Sequence, residues 1–221
     1  MPGLLSAYRF TPPSTLDGGF VGYSQYGNLP AATKSVAISL PSGTAADDFV
    51  MVAIYRSVTG PAVTGSSGWT TATTTLGTFK VSYIYKRVDA ADLSASLSAA
   101  NDIGTGGFWA ADVCVWRGPS TLAIRNEASS PTGTTLVFSG FTKDAKCFAL
   151  VGNYIERDMT APTWPANWDV RVPVSQIVAS VFLSEVRQQN PADYTNGATI
   201  TVSNFSNVTI QSGSILELMT P

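Results

Sequence analysis

The chain repeats itself, without a gap, at an interval of 99 residues: Ser35 to Lys86 can be laid on Thr134 to Glu185. Phe49, Val52 and Tyr55 then fall on Phe148, Val151 and Tyr154, Ala62 and Thr64 on Ala161 and Thr163, and Trp69 on Trp168. Conservative pairs keep the spacing: Ile38 with Val137, Met51 with Leu150, Ala53 with Gly152, Tyr83 with Phe182, and Ile84 with Leu183. Chance does not hold an apolar strand, a Trp and an aromatic strand in register together. A duplicated set of strands is a way to build an architecture, whereas catalytic sites rarely come in pairs. The repeat therefore constrains the fold far more than the activity.

Between the repeated positions the sequence is cut by Gly, Pro, Asn and Asp into short runs of β-branched and aromatic residues, the pattern of an antiparallel sandwich or barrel. The expected strands are 34–40, 48–57, 67–75, 78–88, 94–100, 108–117, 134–139, 146–156, 168–173, 177–187, 197–204 and 207–219. Ala90 to Leu97 has some helical propensity, but its Ser and Asp and the run that follows favour a turn. Alternation assigns faces: Val81, Tyr83 and Tyr85 point one way, and Lys80, Ser82, Ile84 and Lys86 the other. Phe49 to Tyr55 and Cys147 to Ile155 are apolar at nearly every position, as in strands buried on both faces. Something beyond a two-layer core must cover them: the N-terminal arm, loops or another subunit.

Each unit, about 34–118 and 133–219, would have a small core, and two such units facing each other would bury one face of each sheet. The expected fold is all-β: one two-sheet antiparallel β-sandwich over 31–221, jelly-roll-like and of pseudo-twofold character. Two small domains in tandem are the alternative, disfavoured by the short Gly-, Pro- and Ser-rich linker from Gly118 to Thr134. Residues 1–30 read as an extended arm with one short strand at Phe20 to Gln25. Leu4, Leu5, Tyr8, Phe10, Phe20, Tyr23 and Tyr26 make it too apolar for a disordered tail, and its Pro and Gly forbid a helix. It is expected to pack on its own sandwich or, preferably, across a subunit boundary.

At 221 residues the chain suits one all-β domain. Charged residues are only 13% and the net charge is −2, so nucleic acid has no electrostatic footprint to meet. The hydrophobic fraction of 44% fits a surface partly covered by other chains. Histidine is absent, which removes the commonest general base and metal ligand and excludes Ser-His and Cys-His nucleophile pairs. Cys114 and Cys147 each sit inside an apolar strand and read as buried free thiols. No secretory signal and no apolar run of about 18 residues is visible, so synthesis in a cytoplasm without membrane insertion is expected. Asp17-Gly18-Gly19 and Asp47-Asp48 read as turns rather than calcium loops, and no metal or cofactor is expected. Asn204-Phe-Ser and Asn207-Val-Thr match a glycosylation pattern that has no meaning without a secretory route.

Inside the first unit the features run in a set order. Asp48 leads an apolar strand, Pro61 lies in a loop, and Ser67-Gly68-Trp69-Thr70 follows. Then come Tyr83-Ile84-Tyr85-Lys86, a polar stretch with Asp89 and Asp92, and a closing strand Trp109 to Trp116 ending in Arg117-Gly118. This order resembles the Gly-Trp β-sandwich units of tailed-bacteriophage virion proteins and related bacterial surface proteins, over about residues 34 to 219. The second unit departs from it, with Asn167 before Trp168 and no Trp or Arg-Gly in Val208 to Met219. The resemblance implies a structural or adhesive part of a particle and no enzymatic activity.

Function is accordingly expected to be that of a tailed-phage structural protein, a head decoration or tail-associated component of the virion. Its partners would be copies of itself and other virion proteins. The alternative is a carbohydrate- or receptor-binding adhesin module that holds a host surface glycan on loop aromatics. Tyr8, Phe10, Tyr26, Trp164 and Tyr194 are the candidate interface or ligand contacts. Trp69 and Trp168, at matching places in both units, are expected to be core residues filling an end of the sandwich. Trp164, between Pro162 and Pro165, either folds over the end of the core or meets a ligand or neighbour. A glycosidase would need paired carboxylates, but Glu156 and Asp158 at a strand end, and Glu185 and Glu217 late in strands, form no E-x-D-x-x-E-type cluster on one face. A solvated face or surface ion pairs explain them better.

Overall fold

The computed structural model describes residues 19–56, 59–76, 79–104, 107–130, 133–156, 162–178, 182–205 and 211–221. Tyr8 and Phe10, with the arm up to residue 18, lie outside them. The first half contains β1 (Phe20–Pro30), β2 (Ser35–Ala37), β3 (Phe49–Tyr55), β4 (Thr59–Thr64), β5 (Thr70–Leu76), β6 (Phe79–Arg87), β7 (Ser98–Asp102) and β8 (Phe108–Trp116). The second half contains β9 (Thr121–Ser130), β10 (Thr135–Phe138), β11 (Cys147–Glu156), β12 (Asp169–Val178), β13 (Phe182–Gln189), β14 (Ile200–Ser203) and β15 (Gln211–Met219). One short helix, α1 (Ala90–Ser94), stands where the sequence favoured a turn. Its N-terminus decides the matter: the Asp89 side chain accepts from the amides of Ala91 and Asp92, and Asp92 accepts from the Asp89 amide. That reciprocal capping box satisfies the amides that would otherwise fray the first turn.

The strands form four antiparallel sheets among the described residues, in the orders β1-β8-β3-β6-β5, β2-β7-β4, β12-β13-β11-β15-β9 and β10-β14. Thr163 bridges Ser203 at the edge of the last. Numbered within each half, the first five-stranded sheet runs fifth, sixth, third, eighth, first and the second fourth, fifth, third, seventh, first; the two orders coincide once the Thr163 bridge is counted as the counterpart of β4. The arm strand expected at Phe20 to Gln25 is present and runs on to Pro30, whereas Thr59–Thr64 and Thr121–Ser130, read as loop and linker, are strands; β1 and β9 are the first strand of each half.

Three apolar clusters show how the sheets stack. The first lies between the two five-stranded sheets and joins Phe49, Met51, Tyr55, Val81 and Trp116 to Val151, Val172, Val186, Leu216 and Leu218. The second packs the opposite face of the first sheet, through Val50, Val52, Ile54 and Trp109, on Ile38, Val63, Leu97 and Ala99 of the small sheet and its flanks. The third does the same in the second half, with Leu150, Tyr154 and Ile215 against Leu136, Phe138, Ile200 and Val202. The molecule therefore has four layers, not the two of the expected single sandwich. β3 is buried at all seven positions because it lies in a middle layer, covered on one side by the partner sheet and on the other by its own small sheet. No arm or second subunit is needed to cover it.

The gapless interval of 99 does not preserve faces. Tyr55 points into the central cluster, whereas Tyr154 points into the outer core of the second half. An irregularity in the β11–β15 pairing between Cys147 and Ala149 shifts the alternation, and one extra residue turns every later side chain to the other face. The strand that follows shifts too. Ala53 pairs with Tyr83, and Gly152 pairs with Arg187 rather than with a residue near Phe182.

Candidate functional site

The residues that carry the sequence resemblance gather at one end of the first half. Gly68 adopts φ +82°, a left-handed conformation that suits glycine, and turns the chain into β5 beside the Lys86 side chain. Trp69, half-buried, donates its indole N–H to Ser66 Oγ at 2.9 Å. Lys86 Nζ lies 2.7 Å from Asp92 Oδ2, and Asp92 is 1% exposed. Burial alone would raise the Asp92 carboxyl, but bonds from Lys86, Ser66 and the Asp89 amide outweigh it and hold the group below its ordinary value. At the neighbouring strand ends Arg117 grips Asp48 through two bonds, Nε to Oδ1 at 2.9 Å and Nη2 to Oδ2 at 3.0 Å. Gly118 has φ +122°, and a Cβ there would stand 2.7 Å from the Phe148 ring of the other half. Asp48 and Arg117, at opposite ends of the motif in sequence, are thus one ion pair that ties the start of β3 to the end of β8.

The described candidate contacts are individually placed and do not converge. Trp164 is 5% exposed, its ring 5.0 Å from that of Trp168 and stacked with Phe138 at 6.4 Å. It folds over the end of the core because Gly152, with no side chain, leaves room for both indoles. Tyr194 is buried and stacked on Phe141 at 4.6 Å. Its hydroxyl accepts from the Phe141 amide at 2.9 Å and faces the carbonyls of Phe141 and Ala198. Tyr26 is half-buried and accepts a hydrogen bond from the Ser39 amide at 2.6 Å. Trp168 is buried, as expected, but Trp69 is only half so.

The carboxylates were expected on a solvated face or in surface pairs. Glu185, 2% exposed, instead pairs inside with Arg187 at 2.9 Å; Glu217, fully buried, pairs with Arg125 and accepts the Asp144 amide at 2.7 Å. Their strands occupy a middle layer, and what stands beside them there is Arg187 and Trp164 for Glu185, and Arg125 and the Asp144 amide for Glu217. Asp158 and the Glu156 side chain lie outside the described residues. Cys114 is a buried free thiol and Cys147 a half-buried one; burial, with Glu217 beside it, pushes the Cys147 thiol up to about 12. No group of three or more His, Cys, Asp or Glu able to hold a metal ion occurs among the described residues.

Polar groups unnoticed in the sequence bridge the central layer. The Tyr83 hydroxyl donates to Asn153 Oδ1 at 2.7 Å and touches Ser214 Oγ, which itself donates to Asn153 Oδ1 at 2.7 Å. Trp116 Nε1 donates to Gln188 Oε1 at 2.9 Å, and Gln25 Nε2 to the Pro173 carbonyl at 3.2 Å. Asp112 lies in the same layer, 2% exposed. The one sign available in sequence was a polar residue inside a run such as Ala111-Asp112-Val113, where both faces are buried. An open groove of about 530 Å³ runs along β9, lined by Ile124, Arg125, Asn126 and Glu127, but the Arg125 charge in it is already neutralised by Glu217. No protein-family model, curated protein or solved structure matches the chain.

Proposed function

We propose that this chain is a non-enzymatic structural component of a tailed-phage particle, a head decoration or tail-associated protein that acts by adhesion between subunits. One observation carries the reading: the residues through which the sequence resembles virion β-sandwich units, Gly68-Trp69, Lys86, Asp92 and Arg117, close an end of the sandwich instead of lining a cleft. In the same reading each half is a jelly-roll-like unit, and the two arose by internal duplication. The strand orders support this: 1-8-3-6 beside 2-7-4 is a jelly-roll pairing, here with the fifth strand added next to the sixth. Adhesion is supported by β5, a sheet-edge strand, Thr70–Leu76, with no charge, Pro or Gly and an unbroken register on β6. Such an edge lacks the devices that discourage another strand from adding to it. The glycan reading gains no such support, since Trp164 and Tyr194 are buried and Tyr26 is held by Ser39.

Mass spectrometry of purified particles, with light scattering of the isolated chain, tests the proposal. The chain should be found in stoichiometric amounts in the particle and should self-associate or bind another virion protein. A chain that stays monomeric and is missing from particles overturns it.

A further inference from the structure

The junction between the two halves contains an acid with no counter-charge. Asp112 sits on the central face of β8, between Gln25 of β1 and Ala53 of β3 in the pairing. It is 2% exposed, no cation pairs with it among the described residues, and its polar neighbours are the Tyr55 hydroxyl and the Gln25 side chain. The titratable groups facing it are Tyr23 from β1, Tyr55 from β3 and Cys114 from β8 itself, all acids and none a cation. Across the layer, β12 supplies Arg171, which donates to Gln188 and lies over the Phe20 ring; beyond Arg171, Val172 to Val178 contains no titratable residue. Glu127 of β9 lies near Tyr83. On the facing strand β15 the buried polar residues of this stretch are the neutral Ser212 and Ser214.

We propose that Asp112 makes the junction between the two halves pH-sensitive, closed while the carboxyl holds its proton and loosened when it ionises. A protonated carboxyl is a neutral group that a dry layer tolerates, whereas a carboxylate must recruit water or a cation. The entry route is short: Gln25, its cross-strand neighbour, is half-exposed on the edge strand β1, and the Gln25 bond to Pro173 spans the gap to β12 there.

Burial pushes the Asp112 carboxyl from 3.8 up to about 7, and the Tyr55 hydroxyl and Gln25 amide beside it offset only part of the effect. The unfolded chain releases this proton near 3.8 and the folded chain near 7. Between those values the folded state binds more protons, so stability falls as pH rises through the window and levels off above it. Tyr23, Tyr55 and Cys114 are all raised and stay neutral throughout.

Unfolding of the full chain should be followed from pH 4.5 to 8.5 at fixed ionic strength, for wild type and Asp112→Asn. The wild-type folding constant should fall relative to the variant by a factor on the order of a hundred or more between pH 4.5 and 8.5, given titration near 3.8 in the unfolded chain and about 7 in the folded one. Parallel curves overturn the proposal. Should the variant fail to fold, the wild-type carboxyl carbon is titrated by NMR. A midpoint near 7 supports the assignment, and an ordinary carboxylate midpoint overturns it.

Discussion

Asp92 and Asp112 are both acids almost fully enclosed by protein, and their surroundings send them in opposite directions. Asp92 has Lys86 at 2.7 Å and a backbone amide to accept from, so its charged form is the stable one. Replacing it, Asp92→Asn, should cost about 2 kcal/mol at neutral pH, because Lys86 loses a largely buried partner and α1 loses its capping charge. Since the folded carboxyl titrates below 3.8, its contribution is complete above that value and disappears as pH falls through the folded value. Acid titration of stability should therefore show a shallower acid limb in the variant, and equal limbs would mean that the pair contributes nothing. At this scale the sequence was least informative. Trp164 and Tyr194 sit among loop-forming residues, yet both rings turn inward. Only the space above Gly152 and the carbonyls around the Tyr194 hydroxyl decide that.

The elements were legible wherever a run of residues carried its own pattern. β3, β6, β8, β11 and β15 stand close to where alternation or continuous apolarity placed them. β4 and β9 were missed, because Thr59–Thr64 contains Gly60 and Pro61, and Thr121–Ser130 mixes apolar, charged and small residues as an edge strand does. The arm is divided as well: its Phe20–Pro30 portion is a paired strand of the first sheet. Truncation tests what that strand contributes, with a chain starting at Gly19 as the reference. Removal of 1–30 exposes one edge of β8 and deletes the buried side chains Phe20, Tyr23 and Leu29. At roughly 1.5–3 kcal/mol each, these are comparable with the whole stability of a domain. The longer truncation should be insoluble or unfolded by circular dichroism; a folded product would show that β1 is dispensable.

As a whole molecule the protein is two sandwiches sharing a central layer, and that layer should make them unfold together. Each half has its own outer core, but the central cluster draws side chains from both halves, and the Tyr83, Trp116 and Gln25 bonds cross it. Calorimetry should give one transition whose van't Hoff and calorimetric enthalpies agree. Two resolved transitions would show that the central layer is weaker than the outer cores. Local order along the chain was enough to determine an all-β protein of short antiparallel strands, because period-two alternation and turn residues act within a few positions of each other. It also displayed matched spacing between the two halves, which is read along the chain without reference to how the chain folds. What covers a strand is a different matter. Phe49 to Tyr55 announced burial on both sides, but whether a small sheet, an arm or a neighbour provides the cover depends on groups far away in sequence. Register, facing and the meeting of Asp48 with Arg117 or Tyr83 with Asn153 likewise arise only when distant strands pair, and tertiary structure alone decided them.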